Sequence, residues 1–271
     1  MELITMHSHT TFCGHAKDSL EDMVAAAHAA GISAMAITEH YPLDPAFDPT
    51  DGLCSMLPEK LDAYKDAVRV IRAQYPDMEL LLGCELDWLG NAETRNLTAD
   101  DFADFDIVLG SVHFMDDWLF NSSAFQDGWE THDIDEVWRR YIDLWCDAAV
   151  SDRPFTVMAH PDVLKKFGQL PSFDLTDSYE RMAEAAAAGN RLIEVNTSAL
   201  RYPYSEFCPA PALLEAFCRA GVGCTVGTDA HNAGVVAADI TKAYAYMYEA
   251  GYREVSAVTR GRGVRTFSID L

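Results

Sequence analysis

The sequence predicts an α/β fold, a barrel of parallel strands alternating with helices. Three observations predict it. Short apolar runs rich in Val, Ile and Leu alternate with longer segments of helical period, the pattern of βα units around a parallel sheet. Helix-to-strand links are short (30–33, 75–78, 220–223), whereas strand-to-helix links are long (41–57, 114–131, 161–175, 197–208). Barrels keep their chemistry on the strand-to-helix face, so the long loops mark the functional side. Finally, 271 residues that are 49% hydrophobic suffice for one sizeable core. No internal repeat, low-complexity segment or linker interrupts them, and residues 1–271 are taken as one domain.

The elements follow in order. Leu3–His9 reads as the first strand, and Ser19-Leu-Glu-Asp opens the first helix as a cap. Ala34–His40 is the second strand. In the second helix Pro58 stands near the start, Leu61, Tyr64, Val68 and Ile71 recur at steps of three and four, and Pro76 ends it. Leu80–Leu86 is the third strand, 97–105 fits a short helix ambiguously, and Ile107–His113 is the fourth strand. Asp133-Ile-Asp-Glu136 resembles a capping box before Val137, Tyr141 and Leu144. Thr156–His160, Leu192–Asn196 and Cys224–Asp229 complete the strands; Pro209, Leu213, Leu214 and Phe217 mark one further helix and 237–248 the last.

A formal net charge of −23 argues against nucleic-acid polymers and anionic membranes as partners. It leaves open a small anionic substrate, because bound cations invert the local field. The chain enters a strand-like run at once, with no signal peptide, and no apolar stretch approaches the roughly 20 residues of a membrane span. Its seven cysteines are odd in number and lack C-x-x-C spacing. They read as reduced thiols of a cytoplasmic protein. The oligomeric state is left open.

The histidines carry the functional signal. His7 and His9 end the first strand at i, i+2 spacing, which puts both imidazoles on one face. His40, His113 and His160 end strands two, four and five; Glu85 ends strand three; Asp229 ends strand seven, with His231 two residues on and His15 in the loop after strand one. A lone histidine at a strand end is more often structural. Seven of nine at matching topological positions is not a random pattern. Nine donors exceed what one tetrahedral ion takes and suit two or three divalent ions, zinc, iron, manganese or cobalt, that share a bridging carboxylate. His28 and His132 lack this placement and read as structural, and Cys13 and Cys84 as small packed thiols beside the site.

These residues form motifs: His7-Ser-His9-Thr, Cys13-Gly-His15, Thr38-Glu-His40, Gly83-Cys-Glu85, Gly110-Ser-Val-His113, Ala159-His160-Pro and Gly227-Thr-Asp229-Ala-His231. Over about residues 3–260 the chain resembles the PHP (polymerase and histidinol phosphatase) superfamily. Leu164-Lys-Lys-Phe-Gly-Gln-Leu-Pro171, Glu194-Val-Asn-Thr-Ser-Ala-Leu-Arg201 and Pro209-Ala-Pro-Ala-Leu-Leu214 resemble its histidinol-phosphatase branch. The resemblance implies a distorted, TIM-like (β/α)7 barrel with the metal site at the C-terminal strand ends. By motif, a first ion takes His7, His9, Glu85 and Asp229. A second takes the bridging Glu85 with His113 and His160, and a third takes His15, His40 and His231.

The reaction expected is hydrolysis of a phosphate monoester, L-histidinol phosphate first among candidates, by a metal-bound hydroxide in line with the leaving oxygen. Glu85, Asp229 and His231 are expected to carry the chemistry. Either the third ion or a proton relayed through Asp229 or a nearby water stabilises the leaving group. Arg201, Lys165 and Lys166, in the loops after strands six and five, are candidate phosphate clamps against the reading as solvated surface charges. Tyr41, Phe47, Trp118, Phe120, Phe125 and Trp129 form either an apolar wall for the organic half of the substrate or ordinary loop packing. Asp44, Asp116 and Asp117 are weaker candidates for meeting a substrate amine.

Competing readings are a sibling phosphoesterase acting on a nucleotide, sugar phosphate or cyclic phosphate, a metal-dependent amide or lactone hydrolase, and a non-catalytic metal-binding module. The amide hydrolases often bridge their ions with a modified strand-end lysine, and no lysine stands at a strand end here.

Overall fold

The computed structural model describes residues 2–44, 48, 50, 52–90 and 97–270. In chain order its elements are β1 (Leu3–Thr5), α1 (Leu20–Ala29), β2 (Ile32–His40), α2 (Leu61–Arg72), β3 (Glu79–Asp87), β4 (Ile107–Ser111), β5 (Phe114–Met115), β6 (Trp118–Leu119), α3 (Ile134–Val150), β7 (Val157–Met158), α4 (Thr176–Ala188), β8 (Leu192–Asn196), α5 (Pro211–Arg219), β9 (Cys224–Gly227), α6 (Ile240–Glu249), β10 (Glu254–Thr259) and β11 (Gly263–Ser268). A parallel sheet runs β1-β2-β3-β4-β7-β8-β9. The two edges then meet. Met6 donates its N–H to Val226 O (2.8 Å), Asp229 to His7 O (2.9 Å) and His9 to Ala230 O (2.9 Å). The barrel is thus closed by backbone just beyond β1 and β9, where the metal-ligand candidates stand.

The helices form where the sequence supplies caps and apolar stripes. The Ser19 side chain accepts from Asp22 N at the start of α1, and Asp133 accepts from Glu136 N at the start of α3, each satisfying a backbone donor the helix leaves open. Tyr64, Val68 and Ile71 of α2 are buried. The ambiguous segment at 97–105 contains a 3-10 turn, Ala99–Phe102, held by a Thr98/Asp101 capping box.

Three features differ from the sequence expectation. First, the regular strands stop earlier than the apolar runs. β1 ends at Thr5, β4 at Ser111, β7 at Met158 and β9 at Gly227. His160 (φ 24°) and Asp229 (φ 46°) lie in the left-handed region, where a strand ladder cannot continue. Second, the loop 114–131 holds a small β5–β6 hairpin. Third, β10 and β11 form an antiparallel hairpin at the opposite end of the barrel. Its turn donates from Arg260 N to Glu79 and from Gly261 N to Asp106, and Arg265 pairs with Glu2. These contacts tie it to the starts of β3, β4 and β1.

No helix among the described residues is long and apolar enough to cross a membrane.

Gly83 illustrates how tightly the strands approach. A Cβ there would lie 2.6 Å from Ile107 Cγ2, 2.7 Å from Thr38 Cγ2 and 2.9 Å from Ile37 O. Replacing Gly83 by Ala is expected to overpack the β2–β3–β4 contact and cost about 1–3 kcal/mol, read as a lower denaturant midpoint. An unchanged midpoint would show that the strands separate freely.

Candidate metal centre

Glu85 stands in β3, where Leu81 and Gly83 precede it and Asp87 follows it on the inward face, and its side chain is 1% exposed. Register places its neighbours: β2–β3 pairing sets His40 directly beside it. Each carboxylate oxygen meets its own group of imidazoles. Oε2 lies 3.2 Å from His7 Nε2, 3.3 Å from His9 Nε2 and 3.1 Å from His40 Nδ1. Oε1 lies 3.0 Å from His160 Nε2 and 3.4 Å from His113 Nε2, and accepts from Ser111 Oγ at 2.5 Å. Asp229 Oδ1 is 3.7 Å from His7 Nε2 and 3.4 Å from His9 Nε2.

Imidazole nitrogens also face one another: His7 Nε2 to His9 Nε2 at 3.0 Å, His113 Nε2 to His160 Nε2 at 3.2 Å, and His15 Nε2 to His231 Nε2 at 3.0 Å. Ligands around a tetrahedral divalent ion stand about 3.4 Å apart, given bonds near 2.0–2.1 Å. The observed spacings suit cations between these atoms, and the nitrogen and oxygen donors suit borderline divalent metals. The sets His7/His9/Glu85, His7/His160/Asp229 and His9/His40/His231 each bring their donor atoms within 4.8 Å of one another. His231 and the exposed His15 also group with the buried Cys13 thiol. All nine residues expected from the sequence therefore meet at one end of the barrel.

The electrostatics follow from this crowding. Burial alone would raise Glu85, but His7, His40 and His113 hold its carboxyl well below the usual range. Asp229 is likewise held down against burial by His7, His9 and His231. Burial opposes charge on His9, yet Asp229 and Glu85 raise it to about 9. Burial and the charge of His9 push His231 down to about 3.

Several residues around the centre escaped the sequence reading. Asp87 Oδ1 lies 2.9 Å from His113 Nδ1, Glu194 Oε1 lies 2.9 Å from His7 Nδ1, and Ser198 Oγ donates to Asp229 Oδ2 at 3.0 Å. A signal was present for Glu194, which alternates with Ile193 and Val195 in β8 and so shares the inward face with Asn196.

The clamp candidates separate. The ammonium of Lys165 lies 2.9 Å from Asp162 Oδ2 and 2.8 Å from Glu206 Oε2, and the residue is 2% exposed. Two carboxylates already hold it in an internal ion pair. Lys166 is buried too, but its Nζ lies over the Tyr202 ring at 4.4 Å. Burial lowers it to about 8 against the pull of Asp229 and Glu85, and its charge is felt at His113. Arg201 sits at the exposed rim, donating to Thr228 O at 2.8 Å, the residue before Asp229.

Packing accounts for most of the aromatic residues. Trp118, Phe120 and Trp129 are buried against one another, and Tyr41 against Phe102. Phe125 caps a small cluster of Leu43, Phe114 and Leu119; Phe47 lies outside the described residues. Asp116 and Asp117 are at the exposed tip of the β5–β6 hairpin. His28 pairs with Asp77 at 2.9 Å and His132 stacks on Trp118 at 4.5 Å, both away from the centre.

The PHP domain model matches residues 5–198, more than half of the chain. The chain belongs to the PHP domain family. Among PHP relatives, a protein named "Probable histidinol-phosphatase" from Deinococcus radiodurans is 30% identical over 256 residues, covering 94% of this chain and 96% of its own. One of the same name from Schizosaccharomyces pombe is 25% identical, covering 95% and 90%. A PHP fold of this shape is seen in the crystal structure of a Lactococcus lactis histidinol phosphate phosphatase complexed with zinc, L-histidinol and phosphate. The TM-score is 0.79 at 22% identity, over 97% of this chain and 99% of that one.

A ligand imidazole must give up the proton on its coordinating nitrogen. His9 is raised to about 9 in the metal-free protein, so at pH 7 it carries that proton. Zinc binding to stripped protein is therefore expected to release protons at pH 7, and affinity is expected to rise with pH towards about 9. Calorimetry in buffers of differing ionisation heat measures this; zinc uptake with no proton release at pH 7 would contradict it.

Proposed function

We propose that this chain hydrolyses L-histidinol phosphate to L-histidinol and inorganic phosphate, using two to three divalent ions, zinc, iron or manganese. His7, His9, Glu85 and Asp229 would hold one; Glu85, His113 and His160 a second; His15, His40 and His231 a third. The observation that carries the reading is the division of Glu85, with His7 and His9 at Oε2 and His113 and His160 at Oε1. That is the arrangement of a carboxylate shared between two cations. The substrate rests on the full-length relatives named for histidinol phosphate and on the L-histidinol and phosphate in the Lactococcus lactis protein.

When bound, the ions supply an activated water and neutralise phosphate charge in the transition state. The chain's own residues do the rest. Ser111 orients Glu85 through their short hydrogen bond. Ser198 and Asn196 hold Asp229 Oδ2, leaving Oδ1 towards His7 and His9. Lys166 brings a cation with no carboxylate partner among the described residues, suited to a phosphate oxygen. Arg201, fixed on the Thr228 carbonyl, offers its remaining N–H groups at the rim. A proton relayed through Asp229 or a nearby water would stabilise the leaving oxygen. A free thiol at each of the seven cysteines agrees with a reducing compartment, and we place the enzyme in the cytoplasm.

Glu85→Ala and Asp229→Ala are expected to cut turnover by about 100-fold or more, the scale of losing a metal-activated nucleophile, while the fold survives. Lys166→Ala and Arg201→Ala are expected to raise KM for the phosphate ester. Lys165→Met is expected to lower thermal stability and leave KM unchanged. Phosphate release from histidinol phosphate, measured against nucleotide, sugar and cyclic phosphates, tests the substrate. Preference for another ester would displace histidinol phosphate, and no release by metal-loaded protein would end the phosphatase reading.

A further inference from the structure

Glu194 is a buried carboxylate, 1% exposed, that belongs to none of the three ligand sets. Its two oxygens do different work. Oε1 lies 2.9 Å from Nδ1 of His7, on the side of the ring away from Glu85. Oε2 accepts the backbone N–H of His160 at 2.9 Å and the Asn196 side-chain amide at 3.0 Å. Gly227 makes room for it, since a Cβ at 227 would collide with Oε1.

The consequences meet at Glu85. An ionised carboxylate accepts only, so Glu194 holds the proton of neutral His7 on Nδ1. Nε2, 3.2 Å from Glu85 Oε2, is then a lone-pair donor. His160 has φ 24°, a backbone conformation that a non-glycine residue adopts at a cost. The hydrogen bond from its N–H to Glu194 supports that conformation and aims its Nε2 at Glu85 Oε1, 3.0 Å away. One side chain therefore orients an imidazole on each side of the shared carboxylate.

We propose that Glu194 is a positioning residue for both ions that share Glu85. It fixes the tautomer of His7 and the backbone of His160 together. The inference rests on the reading of His7, His160 and Glu85 as ligands. It adds that the affinities of the two ions are linked through a residue that touches neither.

The substitution Glu194→Gln keeps the shape and removes the chemistry. If its NH2 faces His7, Nδ1 must accept and the proton moves to Nε2, which then cannot ligate. If it faces His160, two donors oppose the NH2, the His160 N–H and the Asn196 amide. Neither orientation satisfies both sides.

The test is zinc titration of stripped wild-type and Glu194→Gln protein, with circular dichroism to follow the fold. A variant that folds and binds its two tightest zinc ions about 10–100-fold more weakly, the usual scale for losing an outer carboxylate, supports the proposal. A variant that binds zinc with wild-type affinity overturns it and leaves the ligand reading standing. Wild-type protein that takes up no zinc ends the ligand reading itself. Should the variant not fold, 15N NMR of zinc-loaded wild-type protein decides: the proposal requires the His7 proton on Nδ1, and a bare Nδ1 overturns it.

Discussion

The buried carboxylate of Glu85 is the constraint around which this barrel is organised. An ionised group with 1% exposure is costly unless positive charge surrounds it. The fold supplies five imidazoles within 3.4 Å. They come from four separate stretches of chain, and only parallel pairing in one register brings them together. His40 arrives as the ladder partner of Glu85. His7 and His9 arrive through the closing bonds between the chain after β1 and the chain after β9. A slip of one residue in β2–β3 would turn the β2 side chains to the opposite face and remove His40 from the centre.

The same crowding explains why the metal-free site is electrostatically divided. Some imidazoles, His7 and His9, are pulled up by the carboxylates, while His40 and His231 are pushed down by burial and by their neighbours. Protons cannot satisfy all of these nitrogens at once, because a proton on one repels a proton on the next. Divalent ions resolve the conflict by accepting several lone pairs each. The site is thus built for cations inside a chain whose own charge is −23, which is how an acidic protein can present a positive pocket to a phosphate.

Much of this was legible in the sequence, for a physical reason. Strand-end histidines with short links behind and long loops ahead can point only to one end of a barrel, so the gathering of all nine residues there can be read without contacts. What the sequence hid depended on geometry finer than periodicity. The strand ends bend, because His160 and Asp229 take positive φ; Asp and His adopt it more often than most residues, but residue type alone does not say which of them will. The C-terminal hairpin was missed because β10 and β11 lie outside the βα alternation. Glu194 opens a motif of the sequence but carries no assigned role there, because a carboxylate in the middle of a strand resembles an ordinary polar break until its partner, His7 Nδ1, is seen.

The adjacent lysines show the limit most clearly. Lys165 and Lys166 follow one another in a single 3-10 turn, Val163–Phe167, and composition cannot tell them apart. Successive side chains in such a turn point about 120° apart, from three residues per turn. One ammonium therefore falls between Asp162 and Glu206, where two carboxylates raise it above its ordinary value despite burial. The next lies over Tyr202 without a carboxylate, lowered to about 8 by burial. The first is a tether between the loops after β7 and β8. The second is a buried cation over an aromatic ring, with no carboxylate in ion-pair contact among the described residues, and for that reason Lys166 and not Lys165 is proposed as the phosphate contact.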